Sequence, residues 1–223
     1  MKNVWIERSD VEVGIGFRSF SLELHSPHLP IKEVALKEWA VCIDAIANGE
    51  QLVLLRKGGI TEETREFRLE ETSFYLYPTY EHQRAQLIKP EYQERVEQTM
   101  EGIELPPKAV WITHAAHVVD DITLHSEDDL KKLDPFHILT HNYASERLQW
   151  RNDKPLHILT VRAYKLTTPK QVHVAPEYLG CKSWLTLQKP ITDTDLEPVL
   201  SAEAFEHRRQ QIFQALGFNE HKQ

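Results

Sequence analysis

The sequence predicts an α+β fold, with a curved, mostly antiparallel sheet or partial β-barrel and flanking helices. Strand-like and helix-like stretches are interspersed without regular βαβ alternation, which argues against an all-parallel sheet. Apolar runs such as "QLVLL" and "SFYLYP", and the longer "PPKAVWITHAAHVVDDITLHS", carry strand character. With 223 residues, 41% of them hydrophobic, the chain can bury one sizeable core.

Taken in order, residues 1–30 read as an N-terminal segment, 31–190 as the core domain and 191–223 as an appended C-terminal helix. "VEVGIGFRSFSLEL" alternates well enough for one or two strands. "IKEVALKEWAVCIDAIANGE" reads as a helix, because Leu36, Trp39, Ala40, Ile43, Ile46 and Ala47 recur at helical spacing and Gly49 suits a left-handed cap. A strand entering an Asn48-Gly49 hairpin is the competing reading.

Gln51 to Leu55 forms a buried strand, and "EFRLE" and "SFYLYP" form two more, the second stopped by Pro78. Pro90 opens a helix that ends before Gly102. The stretch from Pro106 to Ser126 is one long strand or a bent pair, and Ser126 caps "EDDLKKL". "NYASERLQW" suits one or two helical turns, while "PLHILTVRAYKL" and "KSWLTL" return to strand. Ser201 begins a last helix that Gly217 ends. No internal repeat or low-complexity tract is visible.

The formal charge of -8 argues against a whole-surface electrostatic grip on nucleic acid, though it leaves room for a local basic groove. Two cysteines, Cys42 and Cys181, without CxxC spacing argue against a disulfide framework and a cysteine zinc site. With no apolar signal core and no membrane-length run, the expectation is a cytoplasmic protein without a membrane partner.

Three short stretches carry candidate chemistry. "LYPTYEHQ" gathers Tyr77, Tyr80, Glu81, His82 and Gln83 between a strand and a helix, at a sheet rim. The tyrosines suit stacking on a flat ligand, and Glu81 and His82 suit proton transfer. The plainer alternative is a tyrosine-proline corner whose hydroxyls satisfy the backbone. "LRKGGI" places Arg56 and Lys57 before Gly58 and Gly59, where backbone amides can approach an anion. It lacks P-loop spacing, and a tight turn with two solvated charges is its plainer alternative. "GCKSW" supplies Lys182 and Ser183 beside Cys181, with Trp184 as a core anchor.

No cofactor or metal is expected. His114 and His117, three apart in a strand, point to opposite faces, and His137 and His141 share a helical face but lack a third ligand. Asp44 followed by "QLVLLRK" lacks the acidic-x-Lys triplet of a metal-dependent nuclease.

"LKEWAVCIDAIANGEQLVLLRKGGI", "FYLYPTYEHQ", "LTVRAYKL" and "EYLGCKSWLTL" together resemble the bacterial family called domain of unknown function 1802, from about Leu36 to Leu187. Relatives joined to a restriction-endonuclease-type domain imply a role beside DNA restriction, with a protein of such a system as a partner. A helix ending "AIANGEQ" before a strand ending in Arg also looks like the ASCH group of PUA-like domains, with Gly49, Arg56 and Lys57 at its cleft positions and Leu54 in place of the usual acidic residue.

The expected function is a stand-alone binding module for nucleic acid or a nucleotide-like ligand. Its cleft is expected to be lined by Arg56, Lys57, Gly58, Gly59, Tyr77, Tyr80, Glu81, His82, Gln83, Arg162, Lys182 and Ser183. An enzyme using His82 and Glu81 in that cleft is the alternative, and a scaffold subunit docking a partner through the last helix is the third reading.

Overall fold

Two long antiparallel strands, β5 (Ala109–Leu124) and β6 (Leu156–His173), organise the molecule. Their pairing runs from Ala109 opposite His173 to Leu124 opposite Leu156, with register shifts after Ile112 and after Val118. Such irregularities bend a strand and increase its twist, which curls the sheet. The computed structural model describes residues 15–20, 31–57, 67–150, 154–180, 182–192 and 194–218.

Around this pair stand β1 (Gly16–Ser19), β2 (Val34–Trp39), β3 (Val53–Arg56), β4 (Ser73–Thr79), β7 (Trp184–Thr186) and β8 (Leu196–Pro198). The spatial order is β3-β6-β5-β4-β2-β7, with β1 added to β5 and β8 to β6. Among the described residues only β2 and β4 run parallel. The result is a curled, mostly antiparallel half-barrel. Among the described residues five α-helices flank it: α1 (Ala40–Ala47), α2 (Gln93–Met100), α3 (Glu127–Lys132), α4 (His141–Gln149) and α5 (Ala202–Leu216). This is the α+β curved sheet that the sequence predicts.

Strand alternation sorts the core into layers. Leu36 of β2 and Phe74 and Leu76 of β4 join Ile43, Ile46 and Trp184. Their neighbours Ala35, Tyr75 and Tyr77 join Val110, Leu166 and Tyr178. A third cluster fastens the helices down, with Val41, Val96, Leu130, Leu148, Phe205 and Ile212 among its members. Phe205, Ile212 and Leu216 of α5 are all at most 1% exposed, so this helix spends its apolar side within its own chain.

Three element readings are corrected. The stretch read as one helix is strand through Trp39 and helix only from Ala40. Its helical spacing is real, but β2 is hydrogen-bonded on both sides, to β4 and β7, and that pairing overrides propensity. Gly49 takes the left-handed conformation, φ 68°, that a helix end favours. Phe67 to Glu70 form no regular element; Phe67 is buried as an anchor stacked on Trp184, centroids 6.0 Å apart. Pro78 lies within β4 instead of ending it. There only β2 is paired, since β5 pairs no further than Tyr75, so the missing N–H is tolerated.

The capping residues behave as read. Ser126 accepts from the Asp129 amide at 3.4 Å and Ser201 from the Ala204 amide at 3.1 Å. Gly217 closes α5 at φ 77°. Among the described residues no helix is long and apolar enough to cross a membrane.

Candidate functional site

The parallel strands β2 and β4 end together, Trp39 opposite Thr79. Ligand sites collect at the carboxyl ends of strands where the chain diverges, and here it does so twice. After Trp39 it turns into α1, and after Thr79 it enters the loop carrying Glu81 and His82. Arg56 arrives from the end of β3, Tyr143 and Arg147 from α4, and Gly180, Lys182 and Ser183 from the segment before β7. Together they enclose a cleft of about 430 Å³. That lies within the usual range of small-molecule sites.

All three sequence motifs therefore contribute: Thr79, Glu81 and His82 from LYPTYEHQ, Arg56 from LRKGGI, and Gly180, Lys182 and Ser183 from GCKSW. The cleft also takes Lys37, Glu38, Trp39, Cys42, Tyr143 and Arg147, none of which the sequence marked as ligand-binding. Trp39 and Tyr143 stack, centroids 5.1 Å apart and planes 19° from parallel. Arg147 lies over the Tyr143 ring, 5.7 Å from its centroid, and donates to its hydroxyl at 3.1 Å. That i,i+4 Tyr–Arg pair on a helix is a local signal that sequence reading had available.

Arg56 is the most constrained cation. Its Nη2 donates to the Lys37 carbonyl and to Glu38 Oε2, both at 2.8 Å. The residue is only 9% exposed, and its Nε is buried without a hydrogen-bond partner. A buried donor left unsatisfied costs about 1–3 kcal/mol. The Arg147 Nε is likewise buried and unpartnered. Lys37 Nζ donates to the Gly180 carbonyl at 3.0 Å, joining the two rims.

Four cations, Lys37, Arg56, Arg147 and Lys182, line the cleft with two carboxylates, Glu38 and Glu81, so these lysines, arginines and glutamates carry a net charge of four minus two, +2. An acidic protein thus has a locally cationic cleft. Cys42 also lines it, but burial and then the Glu38 charge push its thiol well above the ordinary value, against Arg56 and Arg147. A neutral buried thiol is a poor nucleophile.

His82 has φ 66°, the one left-handed non-glycine residue among those described. For a residue with a Cβ this costs about 1–2 kcal/mol. Glu81 and His82 are both exposed at the cleft mouth.

Other predicted ligand residues lie elsewhere. Lys57 follows Arg56 just past the strand end but does not line the cleft: it is 2% exposed, and its Nζ donates to the Leu148 carbonyl at 2.7 Å and the Lys154 carbonyl at 2.5 Å. Gln83 is buried and structural, its Oε1 accepting from the Val41 amide at the start of α1 at 3.3 Å. Arg162, 3% exposed, does not line the cleft; it packs over the Phe205 ring, 5.4 Å from its centroid, in a separate small concavity with Ile46 and Leu52. Tyr77 and Tyr80 line a neighbouring shelf rather than the cleft. Gly58, Gly59 and Cys181 fall outside the described residues.

His137 and His141 do not share a helical face; His137 is extended and His141 opens α4, and both approach Asp134, at 3.8 and 3.2 Å. Among the described residues no group of three or more His, Cys, Asp or Glu is placed to hold a metal ion.

A family model described as "Domain of unknown function (DUF1802)" matches residues 35–211, which takes in every described segment of the cleft and most of α5. No curated protein and no solved structure matches the chain, so the likeness to ASCH and PUA-like domains gains no support from them.

Proposed function

The chain belongs to the DUF1802 family, and we propose that its cleft binds a nucleotide-like ligand, with phosphate held by the cations and the base stacked on the aromatic wall. The observation that carries this reading is the buried, unpartnered Nε of Arg56 beside the stacked Trp39–Tyr143 pair. A guanidinium with an unpartnered N–H suits a phosphate oxygen, and a flat indole at the same cleft suits a base. The cleft volume of about 430 Å³ favours a mononucleotide or an unpaired strand over a duplex, whose bases are not accessible to so small a site. The restriction context that the family resemblance implies fits a nucleic-acid end or single strand as that ligand.

A second reading, catalysis on a phosphorylated substrate, has one observation in its favour. The strained backbone at His82 holds an imidazole at the cleft mouth next to Glu81, and strain of this kind collects at functional sites.

Binding of a short adenylate oligonucleotide, followed by fluorescence anisotropy across a salt series, tests the proposal. Affinity should fall as salt rises, and Lys182→Ala should reduce the slope of log K against log salt by about 0.7. An affinity indifferent to salt, or a slope unchanged in Lys182→Ala, overturns it. Turnover that disappears in His82→Ala while affinity holds would move the assignment to the enzyme reading.

A further inference from the structure

Next to the cleft lies a second concavity of about 50 Å³, lined by Tyr77, Tyr80, Tyr178 and Leu179. The two share a wall built from Lys37, Thr79, Glu81 and Gly180. From this we infer that the ligand extends beyond one nucleotide: the cleft takes the first, the Tyr80–Leu179 shelf stacks the second base, and Lys37 on the shared wall meets the phosphodiester between them. The inference rests on the nucleotide reading of the cleft and names its substrate class, a single-stranded oligonucleotide of at least two units.

The shelf has the right chemistry for this. Its space is too shallow to enclose a base but suits stacking against one face, which tolerates any base. Leu179 is 52% exposed, a large apolar side chain left open to solvent beside a polar cleft. Tyr77 and Tyr178 meet edge to face, centroids 6.0 Å apart, and Tyr178 is braced by accepting from the Gln188 amide at 2.6 Å. Tyr80 is half-buried beside them. Burial holds the Tyr77 phenol up at about 12, so the shelf carries no phenolate to repel phosphate. On the shared wall the Lys37 ammonium is fixed by its 3.0 Å bond to the Gly180 carbonyl, between the two concavities.

Isothermal titration with adenylate mononucleotide, dinucleotide and tetranucleotide separates the possibilities. The dinucleotide should bind the wild-type chain about tenfold more tightly than the mononucleotide, and the tetranucleotide should add less than about threefold. In Tyr80→Ala, and independently in the surface variant Leu179→Ser, the dinucleotide-to-mononucleotide ratio should fall to about one. Equal affinity for the two in wild type, or a ratio unchanged in both variants, overturns the second subsite while leaving the cleft reading intact. Failure of all three ligands to bind overturns both.

Discussion

Acidification from neutrality to about pH 4 should unfold the protein cooperatively, because three buried imidazoles resist protonation in the folded state. His114, His117 and His137 are each held at about 4, down from 6.5. Burial is the main cause in all three; the Lys165 charge adds to it at His114 and the Lys89 charge at His137. The geometry agrees. His117 Nδ1 is paired with Ser73 at 2.8 Å while its Nε2 makes no hydrogen bond, and neither ring nitrogen of His137 makes one, Asp134 lying 3.8 Å away. An imidazolium needs two acceptors.

These folded-state values lie below the unfolded one, so above pH 6.5 the imidazoles are neutral in both states and cost nothing. As pH falls through the window to about 4, the unfolded chain binds protons that the folded chain refuses, and stability drops. Each group contributes about 1.4 kcal/mol per pH unit, or about 3 kcal/mol across the window. Three of them remove an amount comparable to the whole stability of a typical domain, about 5–15 kcal/mol. The Asp120 carboxyl, raised chiefly by burial, works in the opposite direction but is a single group. Urea unfolding followed by circular dichroism at stepped pH should show this decline. In His117→Gln the slope should ease by about one proton's worth. A flat profile between pH 7 and about 4.5 would contradict the burial of these rings.

The second large effect concerns the junction between α5 and the sheet. Arg209 donates through Nε and Nη2 to the two oxygens of Asp120, at 2.7 and 2.8 Å, and lies over Phe213. The Asp120 side chain is 0% exposed, whereas that of Arg209 is 17% exposed and also reaches Glu206. Removal of one partner from a buried pair costs about 3–5 kcal/mol, because the other charge is left uncompensated. The asymmetry in burial sets the order. Arg209→Ala strands a fully buried carboxylate and should reach that range, while Asp120→Ala leaves a guanidinium able to turn toward Glu206 and solvent and should cost less. The double variant should be less destabilised than the sum of the singles. At lower pH the Arg209→Ala deficit should shrink as Asp120 takes up a proton. Denaturation midpoints of the four proteins measure all of this, and strictly additive losses would show that the pair is not coupled.

Much of this architecture is written locally. Pro90 and Gly102 bracket α2, Ser201 and Gly217 bracket α5, and the apolar run around Val118, read as one long strand or a bent pair, is the single strand β5. Val34 to Trp39 is different, since its spacing fits a helix and only pairing with β4 and β7, distant in the chain, makes it a strand. The same distance effect hid half of the site. Glycine, aromatic and basic motifs drew attention to Arg56, Glu81, His82 and Lys182, but Trp39 and Tyr143 are about a hundred residues apart and nothing local says that they stack. Lys57 shows the reverse error. In sequence it looks equivalent to Arg56, but adjacent residues at a strand end point to opposite sides, so one reaches the cleft and its neighbour is bound by carbonyls in the core.

The proposed phosphate site turns on the unpartnered Nε–H of Arg56, which nuclear magnetic resonance can observe directly. The Arg56 Nε–H resonance should move when adenylate is titrated into the protein and stay in place with adenosine, which lacks the phosphate. A phosphate-bearing nucleotide that saturates the protein with this resonance unmoved would contradict a phosphate site at Arg56.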